Sequence, residues 1–281
     1  MNQSQFKFKH LPSLLLETFK NWHKNDPWRL SAVVAYYSVL SLPAFLVILI
    51  NVVGSIWGVE IVQGRLTNEI AGAVGMDAAN VIRDMVVDTQ EGNKSLISSI
   101  LGIGVLVYGA TGVFFQLQVA FNDIWNVDAV EGNTWLKMVL DRFRSLAFIM
   151  VIGFLLLTSF VVTAVISVIK DYIKNTFPDI IVYASFLLDT IISLGLITVL
   201  FALMFKFLPD KKIKWKDVWI GAFLTGILFV IGKFALGFYF GEAEPESTYG
   251  AAGSIILVML WVSYSSLILF FGAQFTNVYA M

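Results

Sequence analysis

The stretch "AVVAYYSVLSLPAFLVIL", residues 32–49, is almost wholly apolar, yet it contains two tyrosines, two serines and a proline. An apolar run of about 20 residues is long enough to cross a bilayer as an α-helix. The run extends over residues 31–57. It therefore predicts a membrane helix whose polar side chains need partners inside the protein.

The whole chain has the composition of a membrane protein. Its 281 residues are 58% hydrophobic and 14% charged, whereas soluble domains are usually about a quarter charged. Cysteine is absent, and the two histidines, His10 and His23, lie near the N-terminus. We therefore expect no metal, no cofactor and no enzymatic activity. The net charge of −1 gives no basis for a nucleic-acid partner.

The same length criterion predicts an all-α integral membrane protein with six transmembrane helices. A cytoplasmic tail, residues 1–30, precedes a transmembrane domain, residues 31–281. The predicted spans lie at about 31–57, 95–119, 146–169, 180–205, 218–240 and 250–279.

The distribution of Lys and Arg predicts the orientation. The N-terminal tail has five, the 120–145 connection three and the 206–217 connection five, whereas the connections on the other side have three, two and none. Basic residues are enriched in cytoplasmic loops. Both termini are therefore predicted to lie in the cytoplasm.

Two segments outside the spans have helical periodicity. "LPSLLLETFKNWHK", residues 11–24, places apolar residues on one face and predicts either an interfacial helix or a helix packed on the protein. Residues 58–94 are too polar to span and predict a small helical cap on the extracytoplasmic side, between the first and second spans.

The polar residues of the first span form a stripe. Tyr37, Ser41, Asn51 and Ser55 fall within about 80° of one another on a helical wheel. Pro43 removes a backbone hydrogen bond and predicts a kink. Such a stripe lines a polar cavity or lets helices pack and hydrogen-bond, and the sequence leaves both interpretations open.

Four other spans carry a similar face, which suggests a shared polar interior. The candidate cavity-lining residues are Tyr37, Ser41, Asn51, Tyr108, Thr111, Gln118, Ser185, Ser193, Ser263, Ser266 and Gln274.

Asp189 and Lys233 are ionisable residues within predicted spans. Such a group costs at least about 2.5–3.5 kcal/mol on insertion scales, which makes it a functional candidate. Counting residues from the ends of the fourth and fifth spans places the two at nearly equal depth. We predict that they pair or face one cavity, as a structural ion pair or as a substrate or proton-coupling site.

The stretch "KFLPDKKIKWKD" lies in a predicted cytoplasmic connection. Its lysines enforce topology, and Lys211, Lys212, Lys214 and Lys216 are candidates for binding anionic lipid headgroups. Membrane lipids are thus the expected partners, together with a small amphipathic solute. The sequence does not give the oligomeric state.

Three stretches resemble the YihY/BrkB family of bacterial integral membrane proteins. They are "LVYGATGVFFQLQVAFNDIWNV", "FLPDKKIKWKDVWIGAFLTGILFVIGKFALGFYF" and "STYGAAGSIILVMLWVSYSSLILFFGAQFTNVYA". The resemblance implies a six-helix inner-membrane protein. Some members are linked to virulence or serum resistance, some are suspected of moving envelope lipids, and many are labelled "ribonuclease BN".

The residues do not support a ribonuclease, because metal-dependent hydrolysis needs clustered histidine and carboxylate ligands. We expect translocation of an amphipathic or lipid-related envelope solute. The alternative is a non-transporting membrane scaffold or virulence-associated envelope protein.

Overall fold

The computed structural model describes residues 11–74, 96–127, 142–153, 178–243 and 253–280, with isolated residues at 76, 79–80, 83, 140 and 155. All regular secondary structure in these residues is helical, which confirms the predicted all-α class there. Seven helices are α1 (Leu11–Lys24), α2 (Pro27–Trp57), α3 (Val59–Val74), α4 (Leu96–Ile124), α5 (Pro178–Phe207), α6 (Trp215–Ala243) and α7 (Gly253–Ala280). A further helical segment covers residues 142–153.

Three of the described helices, α5, α6 and α7, are long and apolar enough to cross a membrane. Helix α2 is a fourth if its two parts, 27–42 and 44–55, count as one span. The predicted six-span topology and the extracytoplasmic cap stay predictions. Most of residues 75–95 and of the third span beyond 153 lie outside the described residues.

Helix α2 begins four residues before the predicted span. Asp26 has a left-handed backbone with φ 49°, and Pro27 occupies the first turn, where its fixed φ suits a helix and its missing N–H is no loss. The helix axis bends by 54° between residues 42 and 44. Pro43 lies at this bend and has no N–H to donate to the preceding turn, which is the physical cause of such kinks.

The core joins helices that are distant in sequence. Helix α7 contacts α1, α2, α4 and α6, and α2 also packs on α4. Phe121 lies at the centre of an aromatic cluster, with ring centroids 5.6 Å from Trp125, 5.8 Å from Phe205 and 6.2 Å from Phe270. All four side chains are almost fully buried. Offset and edge-to-face ring contacts of this kind stabilise a core beyond the area they bury.

Helices α6 and α7 approach most closely at two glycines. A Cβ on Gly221 would lie 2.9 Å from the Cβ of Thr276, and a Cβ on Gly272 would lie 2.8 Å from the Cβ of Thr225. Gly221 and Thr225 of α6 meet Thr276 and Gly272 of α7, in that order. The contacts move toward the start of α7 as they move toward the end of α6, so the two helices run antiparallel. We call these four residues the α6–α7 seam. Small residues permit such close approach of membrane helices.

The hydroxyl groups of the seam are satisfied within their own helices. Thr225 donates to the carbonyl of Gly221 at 2.7 Å, and Thr276 donates to the carbonyl of Gly272 at 2.8 Å. Both threonines are fully buried. The seam therefore contains two polar side chains but needs no water or ligand to satisfy them.

Helix α6 contacts α5 at another glycine, Gly226, and exposes a large apolar face. The hydroxyl oxygen of Thr198 lies 2.8 Å from the position that a Cβ on Gly226 would occupy. The outward face consists of exposed aromatic and aliphatic side chains at helical spacing: Trp219, Phe223, Ile231, Phe234 and Phe238. Such a stripe is typical of a helix that faces lipid.

Helix α1 packs on α7. The rings of Trp22 and Phe271 are 6.0 Å apart, and the side-chain amide of Asn25 donates to Oε1 of Gln274 at 2.9 Å. Leu16 and Phe19 of α1 are exposed. These apolar side chains suit a membrane interface, although the interfacial placement of the tail stays a prediction.

Candidate functional site

Asp210 is the centre of a polar cluster between α4, the segment 142–153 and the loop after α5. Its carboxylate accepts hydrogen bonds from Arg144 at 2.5 Å, from Asn122 at 3.2 Å and from Gln118 at 3.4 Å. Its backbone N–H donates to Oδ1 of Asn122 at 2.9 Å. We call Gln118, Asn122, Arg144 and Asp210 the Asp210 junction.

Local sequence features place these groups. Gln118 and Asn122 are four residues apart on α4, so both side chains project from one helix face. Leu208 and Pro209 are buried and fix the turn that carries Asp210. The Asp210 side chain is 15% exposed, compared with 44% for Arg144. Since charge-assisted bonds are stronger than neutral ones, this junction is a firm link between the three elements.

The end of α4 is held by side chains from two other elements. Asn277 of α7 donates to the carbonyl of Ile124 at 2.9 Å, and the ammonium of Lys211 donates to the carbonyl of Trp125 at 3.2 Å. Helix ends leave carbonyl groups without intrahelical partners. These two bonds satisfy such groups and tie α4 to α7 and to the loop after α5.

A pocket of about 690 Å³ opens beside the junction. It lies between the segment 142–153, the end of α5 and the loop that follows. We call it the basic pocket. It is lined by Arg144, Ala147, Phe148, Val151, Leu203, Lys206, Phe207, Pro209, Asp210, Lys211 and Lys212.

The lining of the basic pocket combines two kinds of surface. Four side chains are cationic and one is a carboxylate, whereas Ala147, Phe148, Val151, Leu203 and Phe207 form an apolar wall. Phe148 is buried, and Phe207 is exposed and contacts Trp215 with ring centroids 5.9 Å apart. A pocket with apolar walls and a few convergent polar groups is the usual form of a small-molecule site.

Two of the four lysines predicted to bind lipid headgroups line the pocket. They are Lys211 and Lys212, whereas Lys214, on the same loop, and Lys216, in the first turn of α6, are exposed outside the lining. Sequence reasoning missed Lys206 and Arg144 as members of this site. The available signal was Asp210, an acid between Lys206 and four further lysines in the stretch "KFLPDKKIKWK".

The predicted Asp189–Lys233 pair lies partly outside the described residues, because the side chain of Asp189 is not described. Thr198 of α5 contacts Gly226 of α6. Asp189 lies nine residues before Thr198, and Lys233 lies seven residues after Gly226. At about 1.5 Å per residue, their backbones lie about 14 Å and about 10 Å from that contact, on the same side. Lys233 is exposed on α6. The pairing itself stays a prediction.

The stripe of α2 meets α4 at a glycine. Ser41 is buried, with its hydroxyl oxygen 3.0 Å from the position that a Cβ on Gly112 would occupy, and the half-buried Tyr37 contacts the same glycine. Asn51 is exposed, and its side-chain amide donates to the carbonyl of Val47 at 2.7 Å. These three predicted lining residues thus take part in packing or in bonds within their own helix.

Tyr108 and Thr111 are brought together by Arg142, which sequence reasoning also missed. The guanidinium carbon of Arg142 lies 4.3 Å from the ring centroid of Tyr108, and a guanidinium nitrogen donates to the hydroxyl of Thr111 at 2.9 Å. The Thr111 hydroxyl in turn donates to the carbonyl of Val107 at 2.7 Å. Tyr108 is exposed and Thr111 is buried.

The remaining lining candidates are spread over α5 and α7. Ser193 is exposed, and the side chain of Ser185 lies outside the described residues. Ser263 is half-buried, whereas Ser266 and Gln274 are buried. Gln274 of α7 accepts a hydrogen bond from Asn25, whereas Gln118 of α4 belongs to the Asp210 junction. The polar contacts of the candidates therefore fall into separate groups.

Metal-ligating clusters are absent from the part of the chain that the structure describes. No group of three or more His, Cys, Asp or Glu side chains there has the geometry to hold a metal ion.

Comparison with known proteins gives a consistent result. A family model described as "Virulence factor BrkB" matches residues 18–281. A UPF0761 membrane protein of Haemophilus influenzae is 25% identical over 272 residues, which cover 92% of each chain. A UPF0761 membrane protein of Alteromonas mediterranea is 24% identical over 249 residues, covering 86% of this chain and 79% of that protein. No solved structure matched the chain.

Proposed function

The chain belongs to the BrkB virulence-factor family of membrane proteins, and from this premise we propose that it translocates an amphipathic, lipid-related solute of the bacterial envelope. The inner membrane is its proposed location, with both termini in the cytoplasm. The observation that carries the proposal is the basic pocket, where Arg144 and three lysines face an apolar wall. A ligand that satisfies both surfaces has a charged or polar head and an apolar body.

We further propose that Asp189 and Lys233 couple translocation to an ion or proton. The Thr198–Gly226 contact supports a similar depth for the two residues on α5 and α6. An ionisable side chain within a span is costly and is usually kept for a function. A proton or ion that neutralised one of these two side chains would change the free-energy cost of keeping the other charged within the membrane.

Reconstitution tests the proposal directly. Proteoliposomes that contain the purified chain and a fluorescent phospholipid are treated with a membrane-impermeant quencher, which removes the signal of the outer leaflet alone. We expect the fluorescent lipid of the inner leaflet to reach the quencher faster than in protein-free liposomes. We also expect Asp189→Asn and Lys233→Met to remove any dependence of this rate on an imposed pH or ion gradient. Rates equal to protein-free liposomes for glycerophospholipid and glycolipid probes alike would contradict translocation.

A non-transporting scaffold is the second candidate. It is favoured by the way several polar side chains are used: the hydroxyl groups of Thr111, Thr225 and Thr276 bond to carbonyl groups of their own helices. A scaffold needs such closed packing and no translocation path. Ribonuclease activity has little support under either candidate, since both histidines of the chain, His10 and His23, lie near the N-terminus.

A further inference from the structure

We infer that the basic pocket binds the phosphate-bearing headgroup of an anionic lipid. This inference rests on the proposed function and names the chemical class of its substrate. Basic pockets at the cytoplasmic ends of membrane helices are suited to anionic headgroups, and the pocket lies beside a connection predicted to be cytoplasmic.

The charges of the pocket favour an anionic ligand. Arg144 approaches from the segment 142–153, whereas Lys206, Lys211 and Lys212 approach from the end of α5 and its loop. The one carboxylate of the lining, Asp210, already accepts bonds from Arg144, Asn122 and Gln118. The lining thus has an excess of positive charge, which an anion entering the pocket would neutralise.

Two of the ammonium groups are already held in position. Lys206 donates to the carbonyl of Ile213 and lies 5.5 Å from the ring centroid of Trp215. Lys211 donates to the carbonyl of Trp125 at 3.2 Å. An ammonium carries three N–H donors, so one carbonyl bond leaves two donors for phosphate oxygens. Since these side chains are ordered before a ligand arrives, binding costs less conformational entropy.

The apolar wall selects a lipid over a soluble phosphate. Phe148, Val151, Leu203 and Phe207 lie on the wall of the same pocket. A soluble phosphate ester would leave these side chains in contact with water, whereas the first methylene groups of a lipid would cover them. The pocket volume of about 690 Å³ is within the usual range of about 300–1,000 Å³ for small-molecule sites.

The test is a competition between two lipids with the same acyl chains. The full chain in mild detergent is given equal amounts of phosphatidylglycerol and phosphatidylcholine, and native mass spectrometry counts each lipid retained. We expect a clear preference for phosphatidylglycerol. Replacing Lys211 and Lys212 by Met should reduce that preference about thirtyfold, since each lysine near an anionic headgroup contributes roughly a factor of five.

A matched control lies in the same connection. Replacing Lys214 and Lys216 by Met removes the same charge outside the pocket lining, and the preference should change by less than about twofold. Replacing Lys211 and Lys212 by Arg keeps the charge and should retain most of the preference, which separates loss of binding from loss of folding. Equal losses in the two Met variants, or no preference in the unaltered chain, would overturn the inference.

Glycerol 3-phosphate, added at the lipid concentration, distinguishes a lipid from a free phosphate ester. We expect it to displace little phosphatidylglycerol. Complete displacement would overturn the lipid assignment. The binding result and the translocation result can be told apart. A chain that prefers phosphatidylglycerol but does not translocate lipid would support the site and contradict the proposed function. A chain that translocates lipid without that preference would support the proposed function and contradict the site.

Discussion

The α6–α7 seam and the Asp210 junction join helices in opposite ways. At the seam, two glycines let the backbones approach until only the threonine side chains separate them, and no charged group takes part. At the junction, a carboxylate, two amides and a guanidinium connect three elements beside a pocket of about 690 Å³. Small residues thus bring helices into direct contact at the seam, whereas polar and charged side chains join the elements of the junction beside a pocket that a ligand can enter.

The largest expected effect is at the seam. Gly272→Ala would place a methyl group 2.8 Å from the Cβ of Thr225, so α6 and α7 must separate. We expect a loss of about 2–3 kcal/mol in the free energy of unfolding, measured as a lower midpoint of thermal unfolding in detergent. The control is Gly237→Ala on α6, which meets no atom within 4 Å and should be neutral or slightly stabilising. Equal midpoints for the two variants would contradict the close packing.

The junction should be less costly to break. Asp210→Ala removes the acceptor of Arg144 and leaves the amides of Asn122 and Gln118 without their carboxylate. We expect a loss of about 2 kcal/mol, reduced by the exposure of Arg144. Asp123→Asn, at an exposed neighbouring position on α4, is the control and should change the unfolding midpoint little. If both variants unfold alike, the junction does not stabilise the fold.

A smaller effect distinguishes two roles for Tyr108. Its ring lies under the Arg142 guanidinium, with 4.3 Å between the guanidinium carbon and the ring centroid. Tyr108→Leu should lose about 0.5–1 kcal/mol of stability through the missing cation–π contact, whereas Tyr108→Phe should lose almost none. A loss that is as large in Phe as in Leu would show that the hydroxyl, and not the ring face, makes the stabilising contact.

The smallest expected effect is the coupling between the two regions. We expect the unfolding free-energy changes of Gly272→Ala and Asp210→Ala to add within about 0.5 kcal/mol in the double variant, as for sites that share no partners. The path that could connect them runs through Asn277, which donates to the carbonyl of Ile124. Larger coupling would show that the seam and the junction act as one unit.

Hydropathy predicted where several helices lie but not how they begin. The predicted fifth span, 218–240, falls within α6, Trp215–Ala243. Helix α2, which contains the predicted first span, begins at Pro27, earlier than its apolar run, because its start is fixed by Asp26 and Pro27. Helix starts depend on local backbone chemistry that an average over apolar residues does not contain.

The site was harder to predict, because polarity along a helix does not say where a side chain finds its partner. Thr111 and Asn51 lie on predicted polar stripes, yet both donate to carbonyl groups four residues earlier in their own helices. Such local bonds satisfy a polar side chain without any cavity. Asp210 and Asn122 are 88 residues apart, and only the packing of α4 against the loop after α5 brings them together.

The reciprocal arrangement of the α6–α7 seam also limits how the protein can move. Each helix inserts a threonine against a glycine of the other, at two points four residues apart. Two interlocked points resist both axial sliding and rotation of one helix against the other, because either movement would drive a threonine side chain into the facing backbone. The basic pocket has none of its lining on α6 or α7, so a motion that widens it would instead separate the segment 142–153 from the end of α5 and its loop, where the Arg144–Asp210 ion pair bridges the two walls.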